Sequence, residues 1–441
     1  MPMYSRRTAL KTIAAGALAA TGVPLSSASA ATYDPKFPIE KGAQLRLLRW
    51  KRFVQGDEEV WLANTRKFTQ LTGVNVTIDA ENWEDLRPKA AVAANVGSGP
   101  DIIIATNEDH FQYTNQLLDL TDLADYLGQK YGGWYEACRD HGMQQGRWVA
   151  IPTGAAGGTL LYRKSMMAAA GFDAFPQDFP GFLKLCQALK ARSKPPGLAL
   201  GHATGDANGW THWVLWGFGG KMADENNNVV INSKETIAAL EYAKELYQTF
   251  VPGTLAWLDP SNNKAFLSGE ISLTRNGISI YYTAKNSADP KMKEIAADTV
   301  HAYHPAGPFG KPAKVSGLMF PAFIYKYSKY PNAAKEYLRF MMEKEQYEAW
   351  QAACIGFVSH PLRAYEANPI WTADPQHIFF RDTVKNMRHY GYAGKLGKES
   401  AAALADFVVV DMFAEACVGQ QTPKEAAQRA ETRARRLYRR S

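Results

Sequence analysis

The sequence predicts a mixed α/β chain of two lobes, and three observations predict it. Its 441 residues exceed the usual size of one domain. Strand-like and helix-like patterns alternate from residue 45 onward, which is the signature of parallel α/β units. A glycine-rich piece, Thr153-Gly154-Ala155-Ala156-Gly157-Gly158, then interrupts the pattern before it resumes. The piece lacks the spacing of a phosphate loop, and its permissive backbone suits a chain crossing between domains.

Leu45 to Trp50 reads as the first strand. A helix follows from Asp57, with Trp61, Phe68 and Leu71 near one face, and Gly73 stops it. Val74, Val76 and Ile78 alternate as the second strand. Asp85 opens a second helix, with Leu86, Ala90 and Ala93 inward, ending at Gly97. Ile102-Ile103-Ile104, delivered by Gly97-Ser98-Gly99-Pro100, suits a strand buried on both faces. It stops in Thr106-Asn107-Glu108-Asp109-His110. Ligands of open α/β sheets sit beyond the carboxyl ends of strands, so this polar loop is a candidate contact.

Gly146 to Pro152 reads as a strand entering the glycine-rich piece, and Thr159 to Tyr162 as the next. In the second lobe, Asn232 is expected to cap a helix with Glu235 three residues on. Ile271 to Thr274 and Leu318 to Tyr325 read as strands, and Asn332 as the cap of a helix through Met342. From Tyr347 to Arg440 the pattern is mostly helical, broken at Gly356, Pro361 and Pro369.

Charge and composition narrow the function. Arg6-Arg7 precede a moderately apolar stretch and Ala28-Ser29-Ala30, which reads as a signal peptide over 1–30 resembling the twin-arginine type. No cysteine lies near that cleavage site to carry a lipid. Of the net charge of +7, +3 belongs to this leader and +5 to the tail from Lys424 to Ser441, leaving −1 on the body. The basicity is therefore a local tail and not a nucleic-acid face. Cys138, Cys186, Cys354 and Cys417 are widely spaced, which argues against a metal or redox cluster; a disulfide stays open, and buried apolar roles are favoured. No H-E-x-x-H, G-x-S-x-G or Walker motif is present. A glycosidase, whose two carboxylates leave no local motif, stays open.

Five pieces, in order, resemble the family 1 extracellular solute-binding proteins of ABC importers, the maltose-binding-protein-like family. They are Gly99 to Ile103; Arg147 to Pro152 with Leu161 to Lys164; Gly219-Gly220 before Asn232; Phe266 to Gly277; and Trp350 through Gly356 to Pro361. The resemblance implies a two-lobed periplasmic-binding-protein fold, each lobe a mainly parallel sheet flanked by helices. It implies a first lobe of 32–153 plus 303–333 and a second of 157–300 plus 336–441. Hinge crossovers are expected at 153–159, 300–305 and 331–337. It also implies a non-enzymatic, monomeric periplasmic carrier without a cofactor or metal. Such a carrier hands a sugar, polyol or short oligosaccharide to the transmembrane subunits of a permease.

Sugar hydroxyls need polar side chains, and sugar C–H faces need flat rings. On that chemistry the expected ligand contacts are Trp50, Arg52, Asn107, Glu108 and His110 from the first lobe. From the second come Trp210, Trp213, Asn276, Tyr281 and Tyr282, with Gly317 bringing backbone close. Other readings are a secreted carbohydrate-processing enzyme, or the same fold with a polyamine or glycerol phosphate. Arg52, Arg163 and Arg275 keep an anionic ligand open.

Overall fold

A computed structural model describes residues 33–310 and 316–439. The expected leader over 1–30 and part of the loop before Gly317 lie outside the described residues. From Pro35 onward the chain forms one unit.

Ten strands are described: β1 Gln44–Trp50, β2 Asn75–Glu81, β3 Ile102–Ile104, β4 Met143–Gln144, β5 Arg147–Trp148, β6 Ile151–Ala156, β7 Thr159–Arg163, β8 Leu273–Asn276, β9 Thr299–Ala302 and β10 Leu318–Ile324. The first sheet has the order β2-β1-β3-β10-β6. β1 is parallel to β2, with Leu47 opposite Ile78, and parallel to β3, with Leu48 opposite Ile103. β10 runs against both β3 and β6. Ile102, Ile103 and Ile104 are fully buried, as an uninterrupted β-branched run requires. Helices Gln55–Thr72 and Trp83–Val96 supply the crossovers. They end at Gly73 and Gly97, whose positive φ angles of 76° and 68° let each N–H turn back to a helix carbonyl.

An ion pair anchors this lobe. Arg49 on β1 donates to both Asp57 oxygens at 2.6 and 2.7 Å, and Trp50 and Trp350 donate to them at 3.0 and 2.9 Å. All four side chains are buried.

The second sheet, β8-β7-β9, is antiparallel throughout, which corrects the expectation of a mainly parallel sheet in this lobe. The reason is the chain path. β7 leaves the first sheet directly after β6, and β9 heads back toward β10, so the two neighbours must run in opposite directions. Around this sheet lies the second core, built on Phe182, Trp210, Trp213, Leu240 and Phe413.

Other boundaries also move. Thr153 to Ala156 belong to β6, so the switch between sheets falls at Gly157-Gly158. β8 starts two residues later than expected. Ser233, not Asn232, caps helix Lys234–Tyr247 by accepting the Thr236 N–H. Asn332 lies inside helix Pro331–Met341, its N–H held by Glu40 at 2.9 Å. That helix and Lys344–Ala353 pack on helix Gln55–Thr72, through Phe68–Tyr337 and Trp61–Trp350 ring contacts. The packing therefore places them with the first sheet, whereas 336 onward was expected with the second. The chain returns to the second core between Asp374, which accepts the Tyr281 hydroxyl, and Tyr390. The tail forms helix Pro423–Tyr438, and Arg433 pairs with Asp406 and Asp411. All four cysteines are buried and unpaired.

Candidate ligand-binding cavity

A cavity of about 490 Å³ opens where the two sheets meet, beside the Gly157-Gly158 switch. Rings form one wall. Phe53 follows β1, Trp83 opens the helix after β2, and Phe357 follows helix Lys344–Ala353. Trp83 is itself backed by Trp50 (centroids 5.0 Å, interplanar 13°) and Phe320 (5.6 Å, 17°). Phe53 stacks against Phe357 at 6.1 Å.

The opposite wall is polar. Asp206 and Asp259 begin helices Asp206–Gly217 and Asp259–Ser268, and Arg275 and Asn276 end β8. Asp259 caps the first of these helices, accepting N–H groups of Gly205 at 3.1 Å and Asp206 at 2.8 Å. Burial raises its carboxyl to about 6, against the pull of those N–H donors. Burial first, and the Asp259 carboxyl next, push Asp206 well above the usual carboxylate range. Arg275 is fixed from behind: Nη2 donates to the Ser316 carbonyl at 3.2 Å and Nε to His304 at 3.2 Å. Desolvation first, and the Arg275 cation next, hold the half-buried His304 well below the usual imidazole range. A side chain at Gly158 or Gly209 would collide with the guanidinium, so those glycines make room for it. Rings on one side and fixed hydrogen-bonding groups on the other suit a ligand with an apolar face and a polar rim.

Of the eleven expected contacts, Asn276 borders this cavity. Its amide donates to Asn263. Trp50 is buried behind Trp83. Arg52 points outward to Glu58. Asn107, Glu108 and His110 are buried: Asn107 accepts the Met319 N–H of β10 at 3.2 Å, His110 meets the His141 carbonyl at 2.7 Å, and Glu108 accepts the Tyr390 N–H of the second core at 2.9 Å. Trp210 and Trp213 sit in the second core, donating to the carbonyls of Ala199 and Pro305. Tyr281 bonds Asp374 at 2.8 Å, Tyr282 stands next to it on helix Ser279–Asn286, and Gly317 is buried under Thr383. Phe53, Trp83, Asp206, Asp259, Phe357 and Tyr390 were not expected. Asp206 stands at the head of the stretch that carries Trp210, and Phe53 beside Arg52, so the right segments were visible but not the right faces.

The sequence profile described as bacterial extracellular solute-binding protein matches residues 63–379. The chain belongs to that family. A probable ABC transporter-binding protein of Deinococcus radiodurans is 24% identical to this solute-binding protein over 204 residues, which span 44% of this chain and 47% of the relative. The fold is similar to that of a maltose-bound T. maritima protein, MalE3, with a TM-score of 0.77 at 20% identity, covering 90% of this chain and all of that one. It is also similar to a sugar transporter from Arthrobacter chlorophenolicus with bound laminaribiose, with a TM-score of 0.76 at 17% identity, covering 90% and 99%. These likenesses establish the two-lobed fold. Among the described residues, no helix is long and apolar enough to cross a membrane, and no cluster of His, Cys, Asp or Glu could hold a metal ion.

Proposed function

We propose that this solute-binding protein serves an ABC importer, capturing a sugar, polyol or short oligosaccharide between its lobes and presenting it to the permease. The observation that carries this reading is the facing of two unlike walls. Phe53, Trp83 and Phe357 come from the first-sheet side, and Asp206, Arg275 and Asn276 from the second. A bound ring touches both sides only when the lobes are closed, so binding stabilises closure through contacts the open form lacks. The crossover at Gly157-Gly158 acts as a hinge, the return runs between β9 and β10, where 300–305 was expected but stays with the second sheet, and a third lies between Asp374 and Tyr390. The protein works as an exported monomer in the periplasm, released from a twin-arginine leader, and performs no catalysis. The sugars named for MalE3 and the Arthrobacter protein support the ligand class.

A thermal-shift screen of the mature protein against monosaccharides, polyols, oligosaccharides, glycerol phosphate and polyamines tests the reading. A ligand at a hundredfold its Kd adds about 2.7 kcal/mol, which moves Tm by a few degrees. A shift with carbohydrates supports it. A shift confined to glycerol phosphate or polyamines contradicts the ligand class, and turnover of a glycoside contradicts the carrier role.

A further inference from the structure

A second cavity, of about 640 Å³, adjoins the first and shares Gly157 and Gly158 with it. All of its lining comes from the three passages between the lobes. Gly157 to Thr159 lie where β6 hands over to β7, and Tyr303, His304 and Ser316 lie between β9 and β10. The other four residues fall between Phe379 and Asn386, inside the third passage. Arg275 links the two cavities. It lines the first, and its N–H groups reach the Ser316 carbonyl and His304, each at 3.2 Å, in the lining of the second.

The lining suits a small neutral ring that carries hydroxyls. Tyr303, 62% exposed, and Phe379 offer two rings with centroids 5.1 Å apart. Thr159 is only 3% exposed, and its Oγ1 has no hydrogen-bond partner among the described residues. A buried hydroxyl left so is costly until a partner arrives. His304 Nε2 accepts the Arg275 Nε–H, so the imidazole proton stands on Nδ1, which donates to no described residue. Asp382, the carboxylate of the lining, is already held by Arg381 Nε and Nη2 at 3.0 and 2.9 Å. Its charge is met there, so an occupant needs none of its own.

Resting on the carrier reading above, we propose that this hinge cavity is a second binding site, which takes one monosaccharide with its C–H face on Tyr303 and Phe379 and its hydroxyls on Thr159 and His304. The lobes move by changing the three passages, and an occupant that touches all three fits one arrangement of them. In the arrangement that forms this cavity, both walls of the first cavity also face each other. Filling the hinge cavity therefore favours closure and tightens binding between the walls. The coupling is reciprocal: solute between the walls raises the affinity of the hinge cavity by the same factor. Arg275 carries it directly, because one guanidinium lines the first cavity and holds two residues of the second.

Isothermal titration of the mature protein with glucose, galactose and mannose tests this, beside the variants Tyr303→Ala, Thr159→Val and Phe53→Ala. The expected result is two molecules of one of these sugars per chain, bound with a Hill coefficient above one. Tyr303→Ala and Thr159→Val should each weaken one site on the order of tenfold, and Phe53→Ala the other. Thr159→Val keeps the shape and removes an unpartnered hydroxyl, so its Tm should not fall, and a weaker site in a protein of native stability separates ligand contact from folding. One molecule per chain, bound alike by the native protein, Tyr303→Ala and Thr159→Val, overturns the proposal and leaves the carrier reading standing. One molecule weakened by all three substitutions makes the two cavities a single site and overturns it too. Binding that Tyr303→Ala and Thr159→Val remove and Phe53→Ala leaves intact supports the hinge site and overturns the first cavity. Binding of none of the three sugars overturns the proposal alone, since the carrier reading answers to the wider thermal-shift screen.

Discussion

Glu108 and Tyr390 join the two halves of the molecule. Glu108, four residues past β3 of the first sheet, accepts the backbone N–H of Tyr390 at 2.9 Å and that of Gly391 at 3.4 Å. Tyr390 belongs to the second core, and it borders the candidate cavity. Glu108, expected from the sequence as a ligand contact, is not among the residues lining this cavity and instead holds the backbone of Tyr390, which is.

The burial of Glu108 makes its contribution to stability pH-dependent. Burial raises the Glu108 carboxyl from 4.5 to about 7, against the two backbone donors and with Asp109 adding to the rise. Between those values the folded chain holds a proton that the unfolded chain has lost. The Glu108 contribution to stability is therefore largest below 4.5 and is lost as pH rises through about 7, by up to about 3 kcal/mol. Melting curves across this range should show the loss, and Glu108→Gln should flatten it while keeping the oxygen that Tyr390 uses.

Phe53→Ala should weaken solute binding on the order of tenfold, because it removes a ring from the cavity wall. Phe53 is half-buried, so the variant should stay folded. Titration calorimetry and circular dichroism on the same preparation separate the two effects.

Gly158→Ala should also weaken binding, since its Cβ would drive the Arg275 guanidinium from its seat. The Asp206–Arg275 geometry then changes without any polar group being removed. Affinity measured beside a denaturant curve should show the larger change in affinity.

Asp57→Ala should act the other way, on stability. It strands the buried Arg49 cation and removes the acceptor of Trp50 and Trp350. Removing one member of a buried ion pair costs about 3–5 kcal/mol, readable as a shift of the urea midpoint.

The elements of the first sheet were legible because their signals are local. Ile102 to Ile104 shows its burial in its own composition, and Gly73 and Gly97 mark helix ends where a left-handed residue is needed. The direction of the second sheet was not legible, because it follows from β7 and β9 being the outgoing and returning passages of one chain. The site was legible by segment and not by face. Trp50 was expected as a ligand contact at the end of the first strand, but its indole N–H is drawn inward to Asp57, and Trp83 takes the cavity face. Helix Asp206–Gly217 is buried along its whole length, so its tryptophans serve the core and its first residue meets the cavity. Asp259 and Tyr390 reach the site from far along the chain, and no spacing in the sequence announces them.

On the proposed reading, solute binds between the two walls, against Trp83. Tryptophan emission of the mature protein, titrated with a carbohydrate that raises its Tm, tests it most directly with Trp83→Phe as the reference. The native protein should show a saturable change that the variant largely loses while still binding. A change of equal size in both proteins would place the solute away from Trp83.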